Sequence, residues 1–163
     1  PQTLRYRKDM LQGAVVTNAP ITWDDLEQVA MKPTRRDGDK LAISGFNARP
    51  IWQQYMWFLF QNGGDVFTPD GQVVVNSPEA VEALEYFSRL FNQDRVASKS
   101  SIAAPTANVG AMAANLVAMQ LGNQLTVRDF PQNNPSQTSN LGVAEATSKK
   151  QQVTSNESDV TAS

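Results

Sequence analysis

Cysteine and histidine are both absent from this 163-residue chain. Without cysteine there is no disulfide, no thiolate nucleophile and no thiolate metal ligand. Without histidine the commonest general base and the commonest metal ligand are gone as well. Charge is sparse and balanced, 14 basic against 16 acidic residues for a formal net charge of −2. The basic residues are interleaved with acids, as in Arg35-Arg-Asp-Gly-Asp-Lys40, so they form no electrostatic footprint for nucleic acid. Long apolar runs are missing too: Met56-Trp-Phe-Leu-Phe60 falls far short of the roughly 20 residues a membrane span requires. There is no Gly-x-Ser-x-Gly, no phosphate loop and no metal-ligand cluster, so no cofactor is expected and hydrolysis or group transfer is disfavoured.

What the chain does contain is a hydrophobic content of 40% in a length that suits one domain with a buried core. Thr3 to Tyr6 reads as a short strand and Arg7 to Gln12 as a helical turn. Thr22 caps the next helix, with Asp25 three residues on as the capping-box acid, and Trp23, Leu26, Val29 and Ala30 recur at helical spacing. Pro33, Gly38 and the charges between them predict a loop, followed by a buried strand Leu41-Ala-Ile-Ser44 ending at Gly45. A strand feeding a helix through a short loop is α/β grammar.

Pro50 fits the first turn of a helix over 51–62 that is apolar around most of its circumference, and Gly63-Gly64 ends it. Pro69-Asp-Gly71 predicts a small hairpin between Val66-Phe67 and Val73-Val-Val75. Ser77 or Asn76 caps a helix begun by Pro78, with Val81, Leu84, Phe87 and Phe91 inward and Glu85 paired with Arg89. After a loop over 97–105, a helix over 106–114 precedes a strand over 116–121 that ends at Gly122. From Pro131 the chain is rich in Gln, Asn, Ser and Thr, with Leu141-Gly-Val-Ala144 as its one credible strand.

Four landmarks then stand in order: Pro20-Ile-Thr-Trp-Asp-Asp-Leu26, Gln61-Asn-Gly-Gly-Asp-Val-Phe67, Asn76-Ser-Pro-Glu-Ala-Val-Glu-Ala-Leu84 and Val117-Ala-Met-Gln-Leu-Gly122. Each alone has an ordinary reading as a helix start, a helix stop or a strand. Their order and spacing resemble the extracellular solute-binding proteins, family 1, which deliver sugars to ABC importers. Thr22-Trp-Asp24, Gly45-Phe46 and Gly63-Gly64 match family motifs, while Arg7 occupies the slot of a family asparagine. Asn123-Gln124 stands where relatives carry a sugar-stacking tryptophan, and Gln124 offers hydrogen bonds instead.

The resemblance implies an α/β, periplasmic-binding-protein-like (type II) lobe, a small mixed sheet flanked by helices and incomplete without its partner lobe. Residues 1–130 would form the main part of the C-terminal ligand-binding lobe and 131–152 a polar loop with its last strand. Residues 153–163 would be the hinge return toward the first lobe, after which relatives bring further helices back to this one. The implied partners are a carbohydrate or polyol and a membrane-embedded ABC permease, with no nucleic acid, from a monomer outside the cytoplasm. The chain begins at Pro1 without a signal peptide, so localisation rests on the resemblance, and an excerpt of a longer protein is expected.

A sugar presents hydroxyls at its rim and apolar faces, so its site combines aromatic plates with amides or guanidiniums. Open α/β sheets bind ligands beyond the carboxyl ends of their strands. Asn47, Arg49 and Trp52 follow one such end, Asn123 and Gln124 another, and Tyr55 falls near Trp52 on the same helix. Trp52 serves equally as ligand plate or core, Arg49 equally as ligand contact or solvated charge, and core is the simpler reading for Tyr55, Trp57 and Trp23. The competing reading is a non-catalytic structural or protein-interaction domain that packs its apolar helix on a partner.

Overall fold

Local grammar sets most of the elements in the computed structural model, which describes residues 3–98, 108–122 and 124–151. In chain order they are β1 (Thr3–Arg7), α1 (Lys8–Gly13), α2 (Trp23–Met31), β2 (Arg35–Asp37), β3 (Lys40–Asn47), α3 (Trp52–Gln61), α4 (Pro78–Asn92), α5 (Asn108–Ala113), β4 (Val117–Gly122), α6 (Gln124–Asn133), a 3-10 helix (Pro135–Asn140) and β5 (Leu141–Glu145). The strands form one sheet in the order β2-β3-β4-β1-β5. Only β3 and β4 run parallel; the β2–β3, β4–β1 and β1–β5 pairs are antiparallel. Parallel neighbours cannot be joined by a tight turn, so the chain crosses from β3 to β4 through α3, α4 and α5. Among the described residues no helix is long and apolar enough to cross a membrane.

Thr22 completes a full capping box: its hydroxyl accepts from the Asp25 N–H at 3.1 Å, and the Asp25 carboxylate accepts from the Thr22 N–H at 3.0 Å. The cap aims Trp23 inward. Its indole stacks on Tyr86 of α4 at 4.4 Å between centroids and meets Phe58 of α3 edge-on at 5.6 Å. The indole N–H donates to Gln61 Oε1 at 2.8 Å and the Tyr86 hydroxyl to the Trp23 carbonyl at 2.8 Å, so the polar tips of both buried rings have partners. Burial and the neighbouring acids hold the Tyr86 phenol well above its ordinary pKa.

Gly45 explains how α2 reaches the sheet. A Cβ there would lie 1.7 Å from the Ala30 carbonyl oxygen, and Thr34 bridges the two, accepting from the Gly45 N–H at 3.1 Å and donating to Ala30 at 2.7 Å. Farther along the sheet, in β1, Arg7 is buried with its charge satisfied. Its guanidinium donates to both Asp9 oxygens, at 2.9 and 2.6 Å, and to the Met112 carbonyl at 2.7 Å, tying β1 to the end of α5. The residue in the slot of a family asparagine therefore acts as a cross-link between elements.

The fold departs from the sequence expectations in six places. β3 does not end at Gly45 but runs on to Asn47, which is its last residue. The charged segment before β3 is the edge strand β2, paired in a hairpin with Gly38 at φ +57°, because an edge strand needs no apolar face. Pro50 precedes α3, whose N-cap is Ile51; the Gln54 side chain reaches back to accept from the Arg49 N–H at 2.5 Å and moves the helix start past the proline. The α4 face is rotated: Ala80, Ala83, Tyr86 and Leu90 are buried with Phe87 and Phe91, while Val81 and Leu84 are exposed, because Tyr86 is drawn under Trp23. Arg89 pairs with Glu27 of α2 at 2.8 Å rather than with Glu85.

Finally, the polar tail carries α6 despite Pro131, anchored by fully buried Phe130 against Met112 and Val117. Beyond β5, Ser148 bridges to Thr22, and Lys150 and Gln151 donate backbone N–H groups to the Gln61 carbonyl at 3.0 and 3.1 Å. The expected hairpin near Gly71 is present with one bridge, Phe67 to Val73. Asn115, at φ +62°, follows the end of α5 in the left-handed region that asparagine tolerates. Residues 152–163, including the expected hinge return, lie outside the described residues.

Trp23→Phe keeps a ring but orphans the buried Gln61 carbonyl oxygen, and should lower unfolding free energy by about 1–3 kcal/mol in urea titration. The hydrogen bond from Arg7 holds the Asp9 carboxyl below its ordinary pKa. A depressed folded value contributes stability that is present above the unfolded pKa and lost as pH falls through the folded one. Asp9→Asn should therefore lose less stability than wild type between about pH 6 and pH 3.

Candidate functional site

The parallel pairing aligns the carboxyl ends of β3 and β4, with Asn47 opposite Gln120. β1, antiparallel to both its neighbours, brings its amino end to the same edge and β5 its carboxyl end: Thr3 of β1 pairs with Gly122 of β4 and with Glu145 of β5. The Thr3 hydroxyl donates to the Gly122 carbonyl at 3.2 Å. One edge of the sheet thus collects an amide, a hydroxyl and a carboxylate, groups that donate to and accept from hydroxyls.

From this edge the chain leaves β3 through buried Ala48 and exposed Arg49 to the start of α3. Asn47 is half-buried, and its Nδ2–H donates to Gln120 Oε1 at 3.3 Å. Arg49 makes no ion pair among the described residues. Trp52 is 50% exposed, its ring tilted at 47° to Tyr55 with 5.6 Å between centroids, so one face is open to solvent. Trp23 is instead core, and Trp57 packs against the core partly buried.

Tyr55 follows its core reading rather than its candidacy as a ligand contact. It is 8% exposed and its hydroxyl donates to the Ala80 carbonyl at 3.0 Å, because a buried phenol must find a partner. Beside the second strand end, Gln124 is the first residue of α6, and Asn123 lies outside the described residues. Sequence reasoning missed Gln120. It is the single amide in a strand, Val117–Gly122, whose residues are all buried, and its contact with Asn47 joins strands far apart in sequence, so only the fold reveals it.

Next to Trp52 opens a groove of about 640 Å³ between α3 and α4, walled by Trp52, Tyr55, Leu84, Phe87 and Phe91. It is overwhelmingly apolar. Leu84, left 54% exposed by the rotation of α4, forms part of its rim.

A mixed sheet with helices packed on it, and polar groups gathered beyond the carboxyl ends of its parallel pair, defines a lobe of the type II periplasmic-binding-protein fold. The chain belongs to the bacterial extracellular solute-binding protein family, whose profile matches residues 1–155. It is 29% identical over 137 residues to a probable ABC transporter-binding protein of Deinococcus radiodurans, covering 78% of this chain and 30% of that protein. It is 31% identical over 87 residues to the putative ABC transporter periplasmic-binding protein YcjN of Escherichia coli, covering 52% of this chain and 20% of the relative.

Among solved structures, an ABC transporter solute-binding protein of Thermotoga lettingae bound with alpha-D-tagatose superposes with a TM-score of 0.80 at 26% identity, over 93% of this chain and 40% of that one. A solute-binding protein of Agrobacterium radiobacter in complex with ribitol gives a TM-score of 0.72 at 25% identity, over 91% and 38%. The chain therefore spans less than half the length of the proteins it matches.

Proposed function

We propose that this chain is one lobe of a two-lobed binding protein that captures a sugar or polyol outside the cytoplasm and hands it to an ABC importer in the membrane. The observation that supports the reading is Asn47 at the carboxyl end of the parallel pair, with half-exposed Trp52 opening the helix that follows five residues on. An aromatic face suits the apolar side of a pyranose or a polyol chain, and the amide suits its hydroxyls. Arg49, with its charge toward solvent, is a further ligand contact, and Asn123 and Gln124 are included from their place in the sequence after β4. That family members of similar fold hold tagatose and ribitol supports the same ligand class here.

Two lobes close on the ligand by rotating about a hinge, and the closed shape is what the importer recognises. No bond is made or broken. A small ligand needs walls on both sides for most of its surface to be buried, so a single lobe binds weakly. The apolar groove beside Trp52 fits this reading, since a lobe within a longer polypeptide leaves such a surface where further segments of that polypeptide pack.

The full-length polypeptide should show a raised unfolding midpoint with at least one of D-tagatose, maltose, laminaribiose and ribitol, worth about 2.7 kcal/mol at a hundredfold excess over Kd. Trp52→Ala should weaken that binding roughly tenfold or more, and the 163-residue chain alone should give no shift. A folded full-length protein that responds to no sugar or polyol would overturn the proposal.

A further inference from the structure

β4 is buried along its whole length, and Gln120, 1% exposed, is its single amide. A buried primary amide is costly unless its hydrogen bonds are made, and an apolar residue of similar volume would suit a buried strand better. Some property of the amide itself therefore accounts for its place. The register supplies one: Gln120 stands opposite Asn47 of β3 and opposite Arg5 of β1, so all three side chains belong to one face of the sheet, in the row that ends β3.

The Asn47 amide has two ends with opposite hydrogen-bonding sense. Either could face a ligand if the side chain were free to flip. Gln120 Oε1 accepts from Asn47 Nδ2, which commits the nitrogen end inward and leaves Oδ1 and the second N–H of Asn47 for other partners. A sugar or polyol hydroxyl is both donor and acceptor, and an amide of fixed orientation meets it with one acceptor and one donor at defined positions. Holding the amide beforehand also removes the entropy of ordering it on binding.

We propose that Gln120 is a positioning residue for the ligand site: from within the sheet it orients the Asn47 amide so that the carbonyl oxygen is presented to a ligand hydroxyl. The proposal rests on the reading that Asn47 contacts a sugar or polyol. It assigns to a buried core position an effect on affinity rather than on folding alone. Gln120 itself never touches the ligand.

The test uses the full-length polypeptide and whichever of D-tagatose, maltose, laminaribiose and ribitol wild type binds most tightly, read by titration calorimetry. Gln120→Met, nearly isosteric but without an acceptor, should weaken binding about tenfold, and Gln120→Asn, too short to reach Asn47, should do the same if the methionine variant does not fold. Gln120→Glu, which keeps an oxygen acceptor, should stay within about threefold of wild type. In an Asn47→Ala background Gln120→Met should cause no further loss, because the two act as one unit. A merely structural glutamine predicts additive losses instead, and that result, or wild-type affinity in both Gln120→Met and Gln120→Asn, overturns the proposal while leaving the site reading intact. Wild-type affinity in Asn47→Ala, or binding of none of the four ligands, removes the site reading and the proposal together.

Discussion

Two adjacent strands that run the same way impose more on this chain than any other feature. Because β3 and β4 are parallel, the polypeptide must leave one edge of the sheet, travel back across it and re-enter beside its own track, which requires helices and forbids a hairpin. Those crossover helices need something to pack on. α2 supplies it through the knot of Trp23, Tyr86, Phe58 and Gln61, and α2 itself reaches the sheet only because residue 45 has no side chain. The same parallel pairing brings two carboxyl strand ends side by side, so the constraint that builds the crossover also builds the candidate site.

Within that frame, the buried polar groups repay attention more than the apolar ones. Arg7 satisfies its guanidinium on Asp9 and on the Met112 carbonyl, and Gln61 takes the indole N–H of Trp23 while its backbone carbonyl receives the returning tail. Arg5, buried one residue pair from Asn47 along the same row, has its pKa pushed down to about 10 by desolvation and stays cationic at neutral pH. Each of these groups ties together elements distant in sequence, and geometry, rather than added stability, is what such directional contacts supply best.

Features with local causes were legible in the sequence. The Thr22–Asp25 capping box, the Ser77–Pro78 helix start and the strand β4 all arise from neighbours a few residues apart, and the structure has each of them. Features with tertiary causes were not. The face of α4 turns on Tyr86 fitting under Trp23, which no helical period encodes, and α6 exists because one phenylalanine finds a pocket made by α5 and β4. At the candidate site, the places of Asn47 near a strand end and of Trp52 at the start of the next helix were legible because both follow from local order along the chain; the contact of Gln120 with Asn47 was not, because it joins strands adjacent in space rather than in sequence. Gln54 hid for a related reason, as its side chain accepts from a backbone N–H upstream of a proline that looked like the helix start.

The apolar groove and the exposed ring of Trp52 meet at one corner of the lobe, where ligand capture and completion of the fold by further polypeptide would adjoin. That arrangement makes location, more than affinity, the decisive question. The most direct measurement is a crystal structure of the full-length polypeptide grown with the sugar or polyol that most stabilises it. The account predicts the ligand at the carboxyl edge of β3 and β4, with the Trp52 ring against its apolar face and Asn47 within hydrogen-bonding distance of a hydroxyl. A ligand seated elsewhere on this lobe, with Asn47 and Trp52 untouched, would contradict it.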